Sequence, residues 1–230
     1  MTTVLITGAN RGIGLALTTQ YAAAGAAVIA CCRQPTQAAD LKKLAETPTH
    51  QVRILSLDLK VDASIDALAR ELEGQAIDIV INNAGVVGPK EQSDQQLDVE
   101  GWIAALRINA IAPVLVARAL KRHLQCGSGK KLVAIGCIDG STSNGDGGSY
   151  ALRSSKAALH NAMRNLSRDW AADGIQVGIL EPGWVRTESG GPQALISAEE
   201  SARGLKQRID ELSLATSGVF QDYLGRAVRW

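Results

Sequence analysis

Thr7-Gly8-Ala9-Asn10-Arg11-Gly12-Ile13-Gly14 is the stretch whose reading decides the fold. It follows the apolar run Val4–Thr7 and opens a helical pattern over Ile13–Ala24. Glycines at such a place permit a tight turn and let a ligand's phosphates approach the backbone closely. The helix N-terminus then offers unpaired N–H groups and a positive dipole end to an anion. An ordinary strand-to-helix turn can carry the same glycines, so the weight lies in their position between a strand and a helix.

Outward from this turn the chain alternates short apolar runs with longer helical patterns. Strands are expected at Val4–Thr7, Ala27–Cys31, Val52–Leu57, Ile77–Ile81, Lys131–Ile135 and Ile175–Leu180. Each is nearly continuous in apolar residues, as for parallel strands covered on both faces. Helical patterns run over Ile13–Ala24, Ala63–Glu73 and the long segment Gln95–Leu124. Ala158, Leu159, Ala162, Met163, Leu166 and Trp170 repeat at three and four residues, an amphipathic helix. The alternation predicts an α/β protein: a single-domain doubly wound parallel sheet over residues 1–230 with helices on both faces. Two Gly/Ser-rich stretches, Gly136–Ser149 and Pro182–Pro192, follow strand carboxyl ends, where ligands bind in open α/β sheets.

Composition narrows the class. A chain of 230 residues that is 46% hydrophobic can bury one well-developed core, mainly aliphatic because it has only four Trp, three Tyr and one Phe. The net charge of +1 and the short basic clusters Lys121–Arg122–His123 and Lys130–Lys131 read as solvated surface, with no nucleic-acid footprint. Cys31, Cys32, Cys126 and Cys137 show no metal-ligand spacing and read as small buried hydrophobes in a reducing compartment. No apolar run is expected to reach the ~18 residues of a membrane span. The first strand begins too early for a removable leader, so a cytoplasmic location is expected.

The spacing Gly-x-x-x-Gly-x-Gly, Asn82-Asn83-Ala84-Gly85 after the fourth strand, Asn109, Lys156 and Pro182-Gly183 after the sixth strand occur in one order. Together they resemble the short-chain dehydrogenase/reductase family, which has a Rossmann-type fold. The segment Pro182-Gly183-Trp184-Val185-Arg186-Thr187 through Gly218-Val219-Phe220 to Trp230 resembles its C-factor and sniffer-type carbonyl reductase branch. The resemblance covers residues 2–230. It implies a nicotinamide dinucleotide held by Gly8, Asn10, Arg11, Gly12, Ile13, Gly14, Asn83, Ala84, Gly85, Lys156, Pro182, Gly183 and Val185. Asp58-Leu59 matches the pair that borders the adenine in relatives.

The choice of dinucleotide has a physical argument. An acidic residue at the end of the second strand would bond the ribose hydroxyls of NAD and repel a 2′-phosphate. Here the sequence reads Cys31-Cys32-Arg33. Arg33 and Arg11 suit a phosphate geometrically, so NADP(H) is expected.

In this family a Tyr gives a proton to the substrate oxygen as hydride arrives, a Lys four residues later holds the ribose and lowers the Tyr pKa, a Ser binds the oxygen, and an Asn supports a water relay. Lys156 fits, but Leu152 stands four residues before it, and Cys137 stands at the Ser position in Ile135-Gly136-Cys137-Ile138-Asp139-Gly140. Tyr150 precedes Lys156 by six residues, ~240° around a helix, and reaches it only from outside the helix. Otherwise it is a packing residue at the pocket edge. Asn109 has independent support: Pro113, four residues on, has no N–H, which frees the Asn109 carbonyl for a water.

The catalytic candidates are therefore Asn109, Lys156 and Tyr150. The expected activity is weak NADP(H)-dependent conversion of a small carbonyl or alcohol. The alternative is an inactive NADP(H)-binding sensor or signalling protein of the same fold. The segment Trp184–Ile196 is expected to cover the pocket, and a dimer or tetramer is expected because relatives associate through long helices.

Overall fold

The computed structural model describes residues 1–145 and 147–230; Asp146, within the Gly136–Ser149 stretch, lies outside the described residues. Seven strands form one sheet: β1 (Thr3–Thr7), β2 (Ala27–Cys32), β3 (Gln51–Ser56), β4 (Ile79–Asn82), β5 (Lys131–Ile135), β6 (Gln176–Glu181) and β7 (Phe220–Asp222). Their order is β3-β2-β1-β4-β5-β6-β7 and every pairing is parallel. Six strands stand where the apolar runs predicted them, displaced by at most two residues at an end. The seventh, three residues long, carries no alternating pattern that a sequence reading can catch.

Helices cover both faces. On one, α1 (Gly12–Ala23), α2 (Ala39–Ala45) and α8 (Ala198–Glu211) bury Leu17, Leu41, Leu205 and Ile209 against Ile6, Ile81 and Leu180 of the sheet. On the other lie α3 (Asp62–Glu71), α4 (Val99–Leu106), α5 (Ala112–Ala119) and α7 (Tyr150–Asp169). There Ile65, Val116, Leu159 and Met163 pack on Leu5, Val80, Leu132, Val177 and Ile179. The inner strands are covered on both faces, which explains why they are apolar without alternation, while edge strand β3 leaves Gln51, Arg53 and Ser56 exposed.

The predicted long helix Gln95–Leu124 is broken into pieces. Between α4 and α5 the turns widen into a π segment, Arg107–Ile111, and α6 (Lys121–Cys126) follows a break at Leu120. The widening falls just before Pro113, which cannot donate to Asn109. The composite helix Val99–Ala119 is long and apolar enough to cross a membrane by length and composition, which corrects the expectation that no run reaches that length. Its Ala105, Ala110, Ala112, Val116 and Ala117 are buried in the protein core, and Arg107 interrupts it. One face of it lies in the core, while Val99, Ile103 and Ile111 stand exposed on the other.

One side chain knots the end of the sheet opposite the ligand side. Asp78 is buried ahead of β4 and accepts the N–H groups of Thr3 (2.8 Å), Ser128 (2.8 Å) and Gly129 (3.0 Å) and the Ser128 hydroxyl (2.8 Å). Burial pushes its carboxyl up, but these donors outweigh it and hold the group below the ordinary value. A depressed pKa stabilises the fold above the unfolded value of 3.8 and loses that contribution as pH falls through the folded value. Asp78→Ala is expected to cost at least about 2 kcal/mol in urea unfolding at pH 7, since it orphans several buried donors. The gap to wild type should narrow below about pH 4.

Candidate functional site

The strand order reverses between β1 and β4, so their carboxyl ends open a crevice, the usual ligand position in such sheets. The turn after β1 is shaped by contact with the turn after β4. Gly8 adopts φ +65°, and a Cβ there would meet the Ala84 Cα at 2.9 Å. A Cβ on Gly14 would come within 2.2 Å of the Gly8 carbonyl oxygen and 2.5 Å of Asn83 Nδ2. Asn83 laces the two turns together. Its Nδ2 donates to the carbonyls of Thr7 (2.9 Å) and Gly8 (3.2 Å), and Thr7 Oγ1 accepts the N–H groups of Asn83 and Ala84 at 3.1 Å each. Above this cradle α1 begins at Gly12 with no side-chain cap and no acidic residue in its first turn. Its N–H groups and positive dipole end therefore remain open to an anion.

A cleft of about 1030 Å³ runs from the cradle across the ends of β1, β2 and β3. Gly8, Asn10, Arg11, Gly12, Ile13, Gly14, Arg33, Asp58, Leu59, Asn83, Ala84 and Gly85 all line it. The sequence reading missed Val86, Ile108, Thr187 and Glu188, which line it too. Arg33 stands exposed past the end of β2, where the buried Cys31 and Cys32 fill the strand and burial pushes both thiols up. These two meet the expectation of buried cysteines, and the exposed Cys126 does not. The Asp58 carboxylate accepts the Lys60 N–H (2.9 Å) and shapes the turn, while Leu59 is buried.

Arg11 is placed differently from the expectation of a bare phosphate ligand. Its guanidinium pairs with the Glu188 carboxylate across the mouth of the cleft. Glu188 lies in the Trp184–Ile196 segment, which folds back on itself. Val185 bridges Ile196, Arg186 Nη1 donates to the carbonyls of Ala194 (3.0 Å) and Leu195 (2.9 Å), and Trp184 Nε1 donates to the Gly190 carbonyl (2.8 Å). Pro182, Gly183 and Val185 do not line the cleft: Pro182 receives the Ser201 hydroxyl (2.7 Å), Gly183 turns the chain at φ +81°, and Val185 is buried.

The reaction-centre candidates gather at the other end, beyond Gly85. Asn109 is 1% exposed; its Nδ2 donates to the Val86 carbonyl (2.8 Å) and Ser155 Oγ (2.9 Å), and its Oδ1 accepts the Val86 N–H (2.8 Å). It thus clamps the wall of the cleft. Lys156 is 8% exposed and donates from Nζ to the Ile135 carbonyl (2.9 Å); Nζ lies 3.6 Å from where a Gly85 Cβ would stand. Cys137 donates its N–H to His160 Nε2 (3.2 Å) and its thiol to Asp139 Oδ2 (3.7 Å). Burial pushes that thiol up to about 11, so it stays protonated at neutral pH. Burial, with the Lys156 charge next, pushes His160 down to about 4, so its ring is neutral.

Tyr150 requires a correction. It is the first residue of α7, not a residue outside the helix, and its ring leans on Trp102 with centroids 5.9 Å apart. Six helical residues turn it ~240° from Lys156. The half-buried Leu152 stands on the Lys156 side, and its carbonyl accepts the Ser155 hydroxyl (3.0 Å).

Known proteins are similar to this chain in sequence and fold. Residues 2–194 match the short chain dehydrogenase family. The C-signal protein of Myxococcus xanthus is 39% identical over 155 residues, spanning 67% of this chain and 93% of that protein. Carbonyl reductase Sniffer of D. melanogaster superposes with a TM-score of 0.93 at 31% identity, over 100% of both chains. The NADPH-bound carbonyl reductase from chicken fatty liver also reaches 0.93, at 30% identity, over 100% of this chain and 94% of its own. With the glycine cradle, the Asn83 lacing and Lys156 beside Gly85 in one seven-stranded parallel sheet, the chain belongs to the short-chain dehydrogenase family.

Proposed function

We propose that this chain is an NADP(H)-dependent oxidoreductase acting on a small carbonyl or the matching alcohol, with slow turnover. The observation that carries the reading is the cradle in which the Gly8 carbonyl and Asn83 leave no room for a side chain at Gly14. Arg33 and Arg11 stand at the mouth beyond it, and β2 ends in Cys32 rather than an acid. When bound, the dinucleotide supplies hydride to a carbonyl carbon. Gly8, Gly12 and the open N-terminus of α1 would hold its pyrophosphate, with Arg33 and Arg11 the cations for a 2′-phosphate. Lys156, beside Gly85, would hold the ribose, and Asn109 holds the Val86 wall. Leu152 donates no proton and the Cys137 thiol is a weak donor, so protonation of the substrate oxygen falls to water, at a cost of ~10²–10⁴ in rate.

NADPH and NADH titrations of wild type and Arg33→Ala, followed by ligand fluorescence, test the cofactor. NADPH is expected to bind at least about tenfold tighter than NADH, ~1.4 kcal/mol, and Arg33→Ala to narrow that gap. Equal affinities would remove the 2′-phosphate argument, and no binding of either would remove the oxidoreductase reading.

A second reading, an NADP(H)-binding sensor without turnover, is favoured by Leu152 and the neutral thiol of Cys137. We read residues 1–230 as one domain because all seven strands share one sheet. The free thiols of Cys31, Cys32, Cys126 and Cys137 support a cytoplasmic setting. The exposed Val99, Ile103 and Ile111 on the composite helix support self-association as a dimer or tetramer.

A further inference from the structure

Side chains along β6 alternate between the two faces of the sheet. Val177 and Ile179 pack with α5 and α7, Leu180 packs with α1 and α8, and Glu181 shares the face of Ile179. The Gly136 N–H bonds the Leu180 carbonyl (2.7 Å), which sets Glu181 next to Cys137 at the end of β5. Glu181 is therefore a carboxyl on the reaction-centre side of the sheet, and it is 7% exposed. Its Oε1 accepts the Gly183 N–H (3.0 Å); its Oε2 is buried with no hydrogen-bond partner. Lys156, equally buried, has the Ile135 carbonyl as its acceptor. A buried ammonium held by one neutral carbonyl is costly, and a buried carboxylate nearby offsets that cost.

We propose that Glu181 is a positioning residue of this centre, the counter-charge that keeps Lys156 an ammonium in a site where Leu152 provides no ionisable neighbour. The significance of a charged Lys156 rests on the reading above, in which it holds the ribose. The other ionisable groups around the pair do not compete for the role. The Cys137 thiol and the His160 ring are neutral at pH 7 for the reasons already given. Asp139 is paired with Arg153 at 3.4 Å. Asp222, beside Glu181 on β7, accepts from Arg226 Nε (2.6 Å) and from the N–H groups of Leu224 and Arg226. Burial raises the Glu181 carboxyl above its ordinary value; the N–H groups of Gly183 and Ile138, and after them the Lys156 charge, act against that rise. For Lys156 burial lowers the pKa; the Cys137 thiolate, formed only in alkaline solution, and the Glu181 carboxylate act against that fall.

The simpler role for Glu181 is to cap the Gly183 turn through Oε1. Glu181→Gln separates the two, because the amide oxygen keeps the cap while the charge is lost. The experiment follows the ¹³Cε resonance of Lys156 from pH 7 to 12 in the cofactor-free protein, assigned by its disappearance in Lys156→Arg. The midpoint is expected to fall by at least about one pH unit in Glu181→Gln and to recover in Glu181→Asp. Superimposable wild-type and Glu181→Gln curves would overturn the proposal.

Should Glu181→Gln fail to fold, the reciprocal measurement decides. The Glu181 ¹³Cδ midpoint should rise by about one unit in Lys156→Met, and an unmoved midpoint would overturn the proposal equally. NADPH affinity, measured separately on the wild type, reports on the oxidoreductase reading alone. A protein that binds no NADPH yet shows the coupled titration would sink that reading and leave the role of Glu181 standing.

Discussion

Gly14→Ala is expected to abolish measurable NADPH binding, a loss of at least about 100-fold or ~2.7 kcal/mol. The added Cβ would sit 2.2 Å from the Gly8 carbonyl oxygen and 2.5 Å from Asn83 Nδ2. Neither neighbour can yield cheaply. The Gly8 carbonyl is backbone in a turn held at φ +65°, and Asn83 is committed to the Thr7 and Gly8 carbonyls. Relief must come from moving α1 away from β1, which opens the cradle where the pyrophosphate is to sit. Part of the cost falls on the fold itself, about 1–3 kcal/mol for an overpacked site, readable as a lower melting temperature. Gly145→Ala, where an added Cβ meets nothing within 4 Å, serves as the control and should leave affinity and melting unchanged. A folded Gly14→Ala protein that binds NADPH within twofold of wild type would show that the cradle is not the binding site.

The cradle was legible because its logic is local: glycines between an apolar strand and a helix leave few other meanings. The same holds for the five strands buried on both faces, β1, β2, β4, β5 and β6, whose apolar runs are their own signal. Contacts between distant segments were not legible. Arg11 carries a charge suited to phosphate, yet nothing near it in sequence announces that Glu188, far along the chain, closes on it. Pro113 predicted a disturbed helix at Asn109, and a π segment lies there. The clamp from Asn109 to both backbone groups of Val86 depends on how the loop after β4 folds back. Tyr150 turned on one residue of helix boundary, which sequence patterns locate poorly. Glu181 passed unnoticed because a carboxyl at the end of an apolar strand reads as the strand stopping. Only the register of β6 against β5 brings it beside the end of β5, whose Ile135 carbonyl Lys156 holds. The three-residue β7 owes its existence to its pairing with the end of β6.

The double substitution Leu152→Tyr, Cys137→Ser is expected to raise carbonyl reduction by ~10²–10⁴ over wild type, the usual worth of a positioned general acid. Leu152 and Lys156 are four residues apart on α7, one turn, so a phenol at 152 lies along the same face as the ammonium. Position 152 is half-buried, which leaves the larger ring room to enter without recasting the core. A free phenol ionises near 10, and the Lys156 charge would bring that value down. At position 137 a hydroxyl replaces a thiol that burial keeps protonated and that makes only a long 3.7 Å contact to Asp139. The hydroxyl is the better donor to a substrate oxygen. NADPH affinity should be unchanged, because neither substitution touches the cradle, and that constancy separates a gain in proton delivery from a gain in binding. If only the double variant turns over a panel of small carbonyls, the natural chain keeps the fold and the cofactor site but lacks the acid, and the sensor reading takes precedence. If wild type equals or exceeds the variant, the proton reaches the substrate by another route. Lys156, the buried lysine beside Gly85, is then the group to titrate against rate.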